Sequence, residues 1–191
     1  MTPMMKPALI LLAVAAAVTV LISAVHASTL APIENQLRKT REDAMRAVLP
    51  RADAFREVQT ELTGNITGVY EGLAKGPDGE REGWVIALAP AGYSGTINLM
   101  VGISSTQERL TGIRILSHSE TPGLGALAAT EKFYAKFAGR SLSPLSVVRG
   151  ARAADPGEDE IDAITSATIT TRAVTDAVNE ATAFYRKGGV K

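Results

Sequence analysis

The sequence predicts an α+β protein: a single N-terminal transmembrane helix, then one domain with a mainly antiparallel sheet and flanking helices. Three observations carry this. Residues 7–33 contain no Asp, Glu, Lys or Arg, and residues 8–25 are almost wholly apolar. Apolar, β-branched runs then recur between residues 66 and 116, separated by Gly, Pro, Asp and Ser clusters typical of hairpins. The chain closes on Thr170, Ala173, Val174, Ala177, Val178, Ala181 and Phe184, whose i, i+3, i+4 spacing is that of an amphipathic helix. Strand runs with helices grouped around them indicate α+β rather than a doubly wound sheet. No G-x-G-x-x-G fingerprint marks a dinucleotide site.

Taken in order, residues 8–25 come first. Eighteen helical residues rise roughly 27 Å, close to the ~30 Å hydrocarbon core of a bilayer. A cleaved signal peptide is the competing reading, with Lys6 as its positive end and Val25-His26-Ala27 as a small-x-small cleavage site. The apolar run exceeds the ~7–15 residues of a signal core, which favours an uncleaved anchor. Lys6 favours a cytoplasmic N-terminus and export of the remaining chain, against Arg38, Lys39 and Arg41 beyond the other end. Residues 32–49 alternate charged and apolar side chains in a helical texture that stops at Pro50. Such a helix packs on the domain, leads from the membrane or meets a partner. Strands are expected over residues 66–70, 84–88, 96–103 and 110–116, with turn tips at 75–79 and 104–107. A short helix over 131–138 holds Phe133, Tyr134 and Phe137. Residues 141–160 read as a loop-rich return with one strand near 145–148, and the closing helix runs from 170 to 186. The organisation expected is an anchor (1–27), a linker helix (28–60) and one domain (61–191).

Composition narrows the function. The 191 residues carry a formal net charge of zero and no Lys/Arg-rich block, so nucleic-acid binding has no electrostatic footprint. With no cysteine, thiolate-held iron–sulfur clusters, thiolate zinc sites and disulfides are excluded. The two histidines, His26 and His118, make a multi-histidine metal centre implausible. If this chain moves electrons, an organic cofactor must carry them.

Two segments stand out. Asp162-Ala163-Ile164-Thr165-Ser166-Ala167-Thr168-Ile169-Thr170 leads an acid and a run of small and hydroxylated residues into the closing helix. Thr and Ser are common helix N-caps, so a plain capped helix explains the segment. The same place also suits a phosphoester, because a helix N-terminus offers free N–H groups and a positive dipole end. On these residues alone both readings stand. The second segment, His118-Ser119-Glu120-Thr121-Pro122-Gly123-Leu124-Gly125, comes after an apolar run. It reads as a Pro-Gly turn, or as a loop whose glycines let backbone approach a ligand. Upstream lies Gly92-Tyr93-Ser94-Gly95. Trp84 reads as core, Tyr93 as packing at a turn, and His118 as structural.

These three segments, in the chain order 92–95, 118–125 and 162–168, resemble the RnfG/NqrC family of covalent FMN-binding electron-transfer subunits; with the anchor, the likeness covers most of the chain. The resemblance implies one FMN per chain, carried on the Thr168 hydroxyl through a phosphoester bond. Asp162 matches the leading acid of the attachment motif, Thr165 its first hydroxyl and Ala167 its small residue. Ser166 stands where the family usually has Gly, and lacks glycine's freedom at positive φ. Residues 118–125 match the flavin-side loop, which would set Glu120, Thr121, Gly123, Leu124 and Gly125 beside the ring, with His118 near it. There Glu120 would orient the loop or repel the flavin's negative forms. The resemblance also implies maturation by a flavin transferase that uses FAD and a metal ion, so the motif should lie at the surface. It implies a bacterial inner-membrane protein, single-pass, with the flavin domain on the periplasmic side, and as partners the other subunits of an Rnf-type complex linking ferredoxin and NADH to ion movement. No independent active site is expected, since the flavin carries the chemistry. The alternatives are an NqrC-like component of a sodium-pumping NADH:quinone reductase, usually a longer chain, and a flavin-free anchored scaffold.

Overall fold

The computed structural model describes residues 5–150 and 157–190. The chain divides into two compact units, residues 1–40 and 41–191. Of the return loop expected over 141–160, residues 151–156 lie outside the described residues.

One helix, α1, runs from Met5 to Val48 with Pro32 inside it. The sequence reading separates an anchor from a helix beginning at Pro32, whereas here they are one element. Proline removes a single i to i−4 bond; in a helix of 44 residues the others remain. Pro7–His26 is long and apolar enough to cross a membrane, and its side chains are exposed throughout. The Thr19 hydroxyl donates to the Ala15 carbonyl at 2.8 Å. This is how an isolated hydroxyl is satisfied where no water is at hand.

The second unit is built on a five-stranded antiparallel meander: β1 (Ala54–Glu57), β2 (Ile66–Leu73), β3 (Arg81–Leu88), β4 (Asn98–Ser104) and β5 (Arg109–Ser117), paired in chain order. Both faces of the sheet are covered, so its middle strands are buried almost continuously, as in two-sided sheets generally. Period-two alternation still sorts the side chains. Trp84, Ile86 and Leu88 join the larger core, while Val85 and Ala87 pack with Ala44, Met45, Val48 and Leu49 at the end of α1.

The larger core is closed by α2 (Glu131–Tyr134) and α3 (Thr168–Arg186). From α3 come Val174, Ala177, Val178 and Ala181, each at most 1% exposed. α2 is shorter than the helix expected over 131–138. After Ala135 the bonds tighten to the i to i−3 pattern, Lys136 N–H to Phe133 O and Phe137 N–H to Tyr134 O. That tightening turns Phe137 edge-on to Phe133, with ring centroids 5.4 Å apart. The strand expected near 145–148 is β6 (Ser146–Val148); it forms a separate parallel pair with β7 (Glu160–Asp162), which the sequence reading did not include. Asp162 is thus the last residue of a strand, and residues 163–167 turn the chain from it into α3.

Candidate cofactor site

The turn between β7 and α3 is pinned from inside. Thr171, fully buried, accepts the Ile164 N–H on its hydroxyl oxygen at 3.1 Å and donates to the Ala167 carbonyl at 3.0 Å. The Ala167 N–H closes the turn on the Ile164 carbonyl at 2.9 Å. Within it Ser166 adopts φ +62°. This is the left-handed region that glycine enters freely and serine enters at a cost of about 1–2 kcal/mol, a physical reason for glycine at this place in the family motif.

Ala167 is the N-cap of α3, and no side chain caps the helix. The Thr/Ser cluster therefore does not serve as a cap, which removes the plain-cap explanation of the motif. Thr168 is the first helical residue and half-buried, and Ser166 and Thr165 beside it are exposed. The N–H groups of the first turn have no intrahelical acceptor, and they sit at the positive end of the helix dipole.

Above this turn lies a cavity of about 350 Å³, lined by Tyr93, Glu120, Thr121, Leu124, Gly125 and residues 166–170. Three segments far apart in sequence thus meet at the cavity that Thr168 helps to line. Of the residues proposed from sequence, Thr168, Ser166, Ala167, Glu120, Thr121, Leu124 and Gly125 line this cavity. Asp162, Thr165 and Gly123 do not; they line an adjoining cavity of about 550 Å³, with Lys132, Lys136 and Phe133, that shares Leu124 and Ser166. Asp162 there is in an ion pair: Lys136 Nζ donates to its Oδ2 at 2.8 Å and to its carbonyl at 3.0 Å.

The cavity floor is Glu120, 5% exposed. Its Oε2 accepts the Thr170 hydroxyl at 2.6 Å and its Oε1 the Ser94 N–H at 2.9 Å. Burial opposes its ionisation, but the Thr170 hydroxyl and the Ser94 and Tyr93 N–H groups outweigh that, with a smaller contribution from His118. The carboxyl is held below the usual carboxylate range. His118 is half-buried and lines neither cavity; its Nδ1 accepts the Glu120 N–H at 3.2 Å. Trp84 is core, as expected, with the Arg81 guanidinium stacked 4.7 Å from its ring centre. Tyr93 is not a packing residue: it stands 71% exposed on the cavity rim, beside Leu124 (41%) and Ile169 (55%). Sequence reasoning missed Thr170, Ile169 and Lys136. Thr170 carried a signal, a hydroxyl falling on the apolar stripe of the closing helix. Nothing in the sequence links Lys136 to Asp162.

The set fits a flavin mononucleotide. The volume falls in the ~300–1,000 Å³ range of small-molecule sites, the uncapped helix end suits a phosphate, and the exposed rim suits a flat apolar ring. Residues 92–183 match the model of the FMN-binding domain family, and residues 1–48 that of the RnfG N-terminal region. Similar chains include the G subunit of the ion-translocating oxidoreductase complex of Methanosarcina acetivorans, 35% identical, covering 85% of this chain and 88% of that one. Another is the G subunit of the Na(+)-translocating ferredoxin:NAD(+) oxidoreductase complex of Acetobacterium woodii, 33% identical over 95% and 91%. Among solved structures, NqrC of Shewanella oneidensis matches with a TM-score of 0.58 at 15% identity, covering 74% of this chain and 91% of that one. The C subunit of the Parabacteroides distasonis Na(+)-translocating NADH-quinone reductase matches at 0.59 and 19%, covering 85% and 98%. Fold and site therefore define an FMN-binding protein of the NqrC-like fold. Within that class, the chain belongs to the RnfG family, the G subunits of ion-translocating oxidoreductase complexes.

Proposed function

We propose that this chain is the membrane-anchored, flavin-carrying electron-transfer subunit of an Rnf-type ion-translocating ferredoxin:NAD(+) oxidoreductase, with FMN bound covalently to Thr168. What supports this reading above all is the meeting of Tyr93, the 120–125 loop and residues 166–170 in one cavity at an uncapped helix end. When bound, the flavin supplies the electron transfer. The protein's part is to hold and surround it. Thr168 Oγ1 would provide the ester oxygen, and the first-turn N–H groups of α3 would hold the phosphate. Thr121, Leu124 and Gly125 would line the ring, with Tyr93 and Ile169 on the cavity rim. Asp162 and Thr165, in the adjoining cavity and not against the ring, are reserved for recognition by the flavin transferase; exposure of Thr165 and Ser166 leaves that face reachable. Pro7–His26 stays on the mature protein as a single span of the bacterial inner membrane, with the flavin domain on the periplasmic side and the other complex subunits as partners. An NqrC-type role is less well supported: the NqrC likeness is one of fold at under 20% identity, while the relatives above 30% are G subunits.

Thr168→Val tests the assignment, since valine keeps the shape and loses the oxygen. The expected product folds, reaches the membrane and is colourless. Because Thr168 does not cap α3, stability should change by only about 0.5 kcal/mol. Covalent flavin still present by mass on the Val variant would defeat the assignment.

A further inference from the structure

Resemblance places Glu120 beside the flavin ring, yet both of its carboxylate oxygens are already engaged by the protein itself. The donors come from segments 26 and 50 residues away in sequence: the Ser94 N–H on Oε1 and the Thr170 hydroxyl on Oε2. The surrounding backbone is shaped to this carboxylate. A Cβ at Gly92 would lie 2.5 Å from Oε1, and one at Gly125 would lie 2.3 Å from Oε2 and 2.7 Å from Thr170 Oγ1. Thr170 is 1% exposed and has Oε2 as its acceptor. The loop ahead of β4, the loop after β5 and the first turn of α3 therefore close on one buried anion. A buried carboxylate must keep its donors, because nothing else on hand solvates it. Losing one donor loosens every segment that the anion holds.

We propose that Glu120 and Thr170 are positioning residues and not flavin ligands: their hydrogen bond clamps the three walls of the cavity together, and sets the first turn of α3 that presents Thr168, before any flavin arrives. The clamp explains why a glycine is needed at 92 and at 125 without assigning either to a ligand. Its relevance to the flavin rests on the function proposed above; the clamp itself does not.

The test uses the full chain in detergent, prepared without flavin, and reads amide hydrogen exchange by segment. Thr170→Val removes the hydroxyl, and Thr170→Ser restores it. Exchange over 92–95 and 118–125, neither of them mutated, should rise together by at least about tenfold in the Val variant and return to the parent level in the Ser variant. A rise confined to the first turn of α3, or no rescue by serine, overturns the clamp. Should Thr170→Val fail to fold, Glu120→Asp, whose carboxylate is too short to reach both donors at once, must give the same joint rise. In flavin-loaded protein, where Thr168 is untouched, iodide should quench the fluorescence of the Thr170→Val flavin more strongly than the parent's, with serine again restoring it. If the parent carries no flavin, the proposed function fails while the exchange result still decides the clamp. If flavin is attached but exchange over 92–95 and 118–125 is unchanged, the clamp fails and the function stands.

Discussion

Ser166 joins a sequence departure to a backbone cost. Its departure from the family's glycine is visible in the sequence, and the structure supplies the cost, a left-handed φ of +62°. Ser166→Gly should relieve that strain. Part of the gain is offset by the larger conformational freedom of glycine in the unfolded chain, so the net stabilisation expected is about 0.5–1 kcal/mol. A raised denaturant midpoint at unchanged slope would bear this out, and a lowered one would refute it. Thr170 is the opposite case. Two residues past the proposed acceptor, it falls on the apolar stripe of the closing helix, which marks it as inward-facing but names no partner. Only the fold reveals that its partner is Glu120, 50 residues upstream. A pairing of that kind leaves no local trace in sequence.

Elements were legible in proportion to their length and to the regularity of their burial. The four longer strands and α3 announce themselves through apolar runs and helical spacing. β1 and β7, of four and three residues, are too short for alternation to rise above chance, and β6, of three, showed only as a short apolar run near 145–148. β1 pairs antiparallel with β2, and Arg56 on it and Arg81 on β3 both bind the buried Glu71 of β2. The expected 131–138 helix erred for a packing reason. Phe133 and Phe137 both face the core, 1% and 0% exposed, and the chain tightens after Ala135 to place them edge to face. Phe137→Ala should therefore cost about 3–5 kcal/mol, the range for buried aromatics. It should also free the segment that carries Lys136, so thermal unfolding would begin earlier and the Asp162 ion pair would weaken. A loss below about 1 kcal/mol would mean that the segment is not part of the core.

At the scale of the whole folded unit, two buried carboxylates contribute to the response to acid. Burial opposes the charge on each. Arg81 and Arg56 outweigh it at Glu71, and the Thr170 hydroxyl with the Ser94 and Tyr93 N–H groups at Glu120, so both titrate below their ordinary value of 4.5. In the unfolded chain both take up protons near that ordinary value, while the folded protein resists until lower pH. Their stabilisation is thus fully present above about pH 5 and lost as pH falls through the depressed folded values. Urea midpoints should stay flat between about pH 8 and 6 and drop below about 4.5; Glu120→Gln should flatten part of that drop. A midpoint that rises on acidification would contradict both assignments. The openness of the cavity has a consequence of another kind. With Tyr93 71% and Ile169 55% exposed, its walls offer a dissociable ligand little enclosure. On the proposed attachment through Thr168, the ring would instead meet its seat at an effective concentration on the order of millimolar, typical of short tethers. A seat with an intrinsic dissociation constant of about 0.1 mM would then be filled roughly ten to one, whatever the free FMN concentration outside. The same FMN, added at micromolar levels to Thr168→Val protein, should wash out on dialysis. Relieved of any need for tight grip, such a seat is free to hold oxidised and reduced flavin with nearly equal strength, and equal affinity for the two forms leaves the potential close to that of the unbound cofactor.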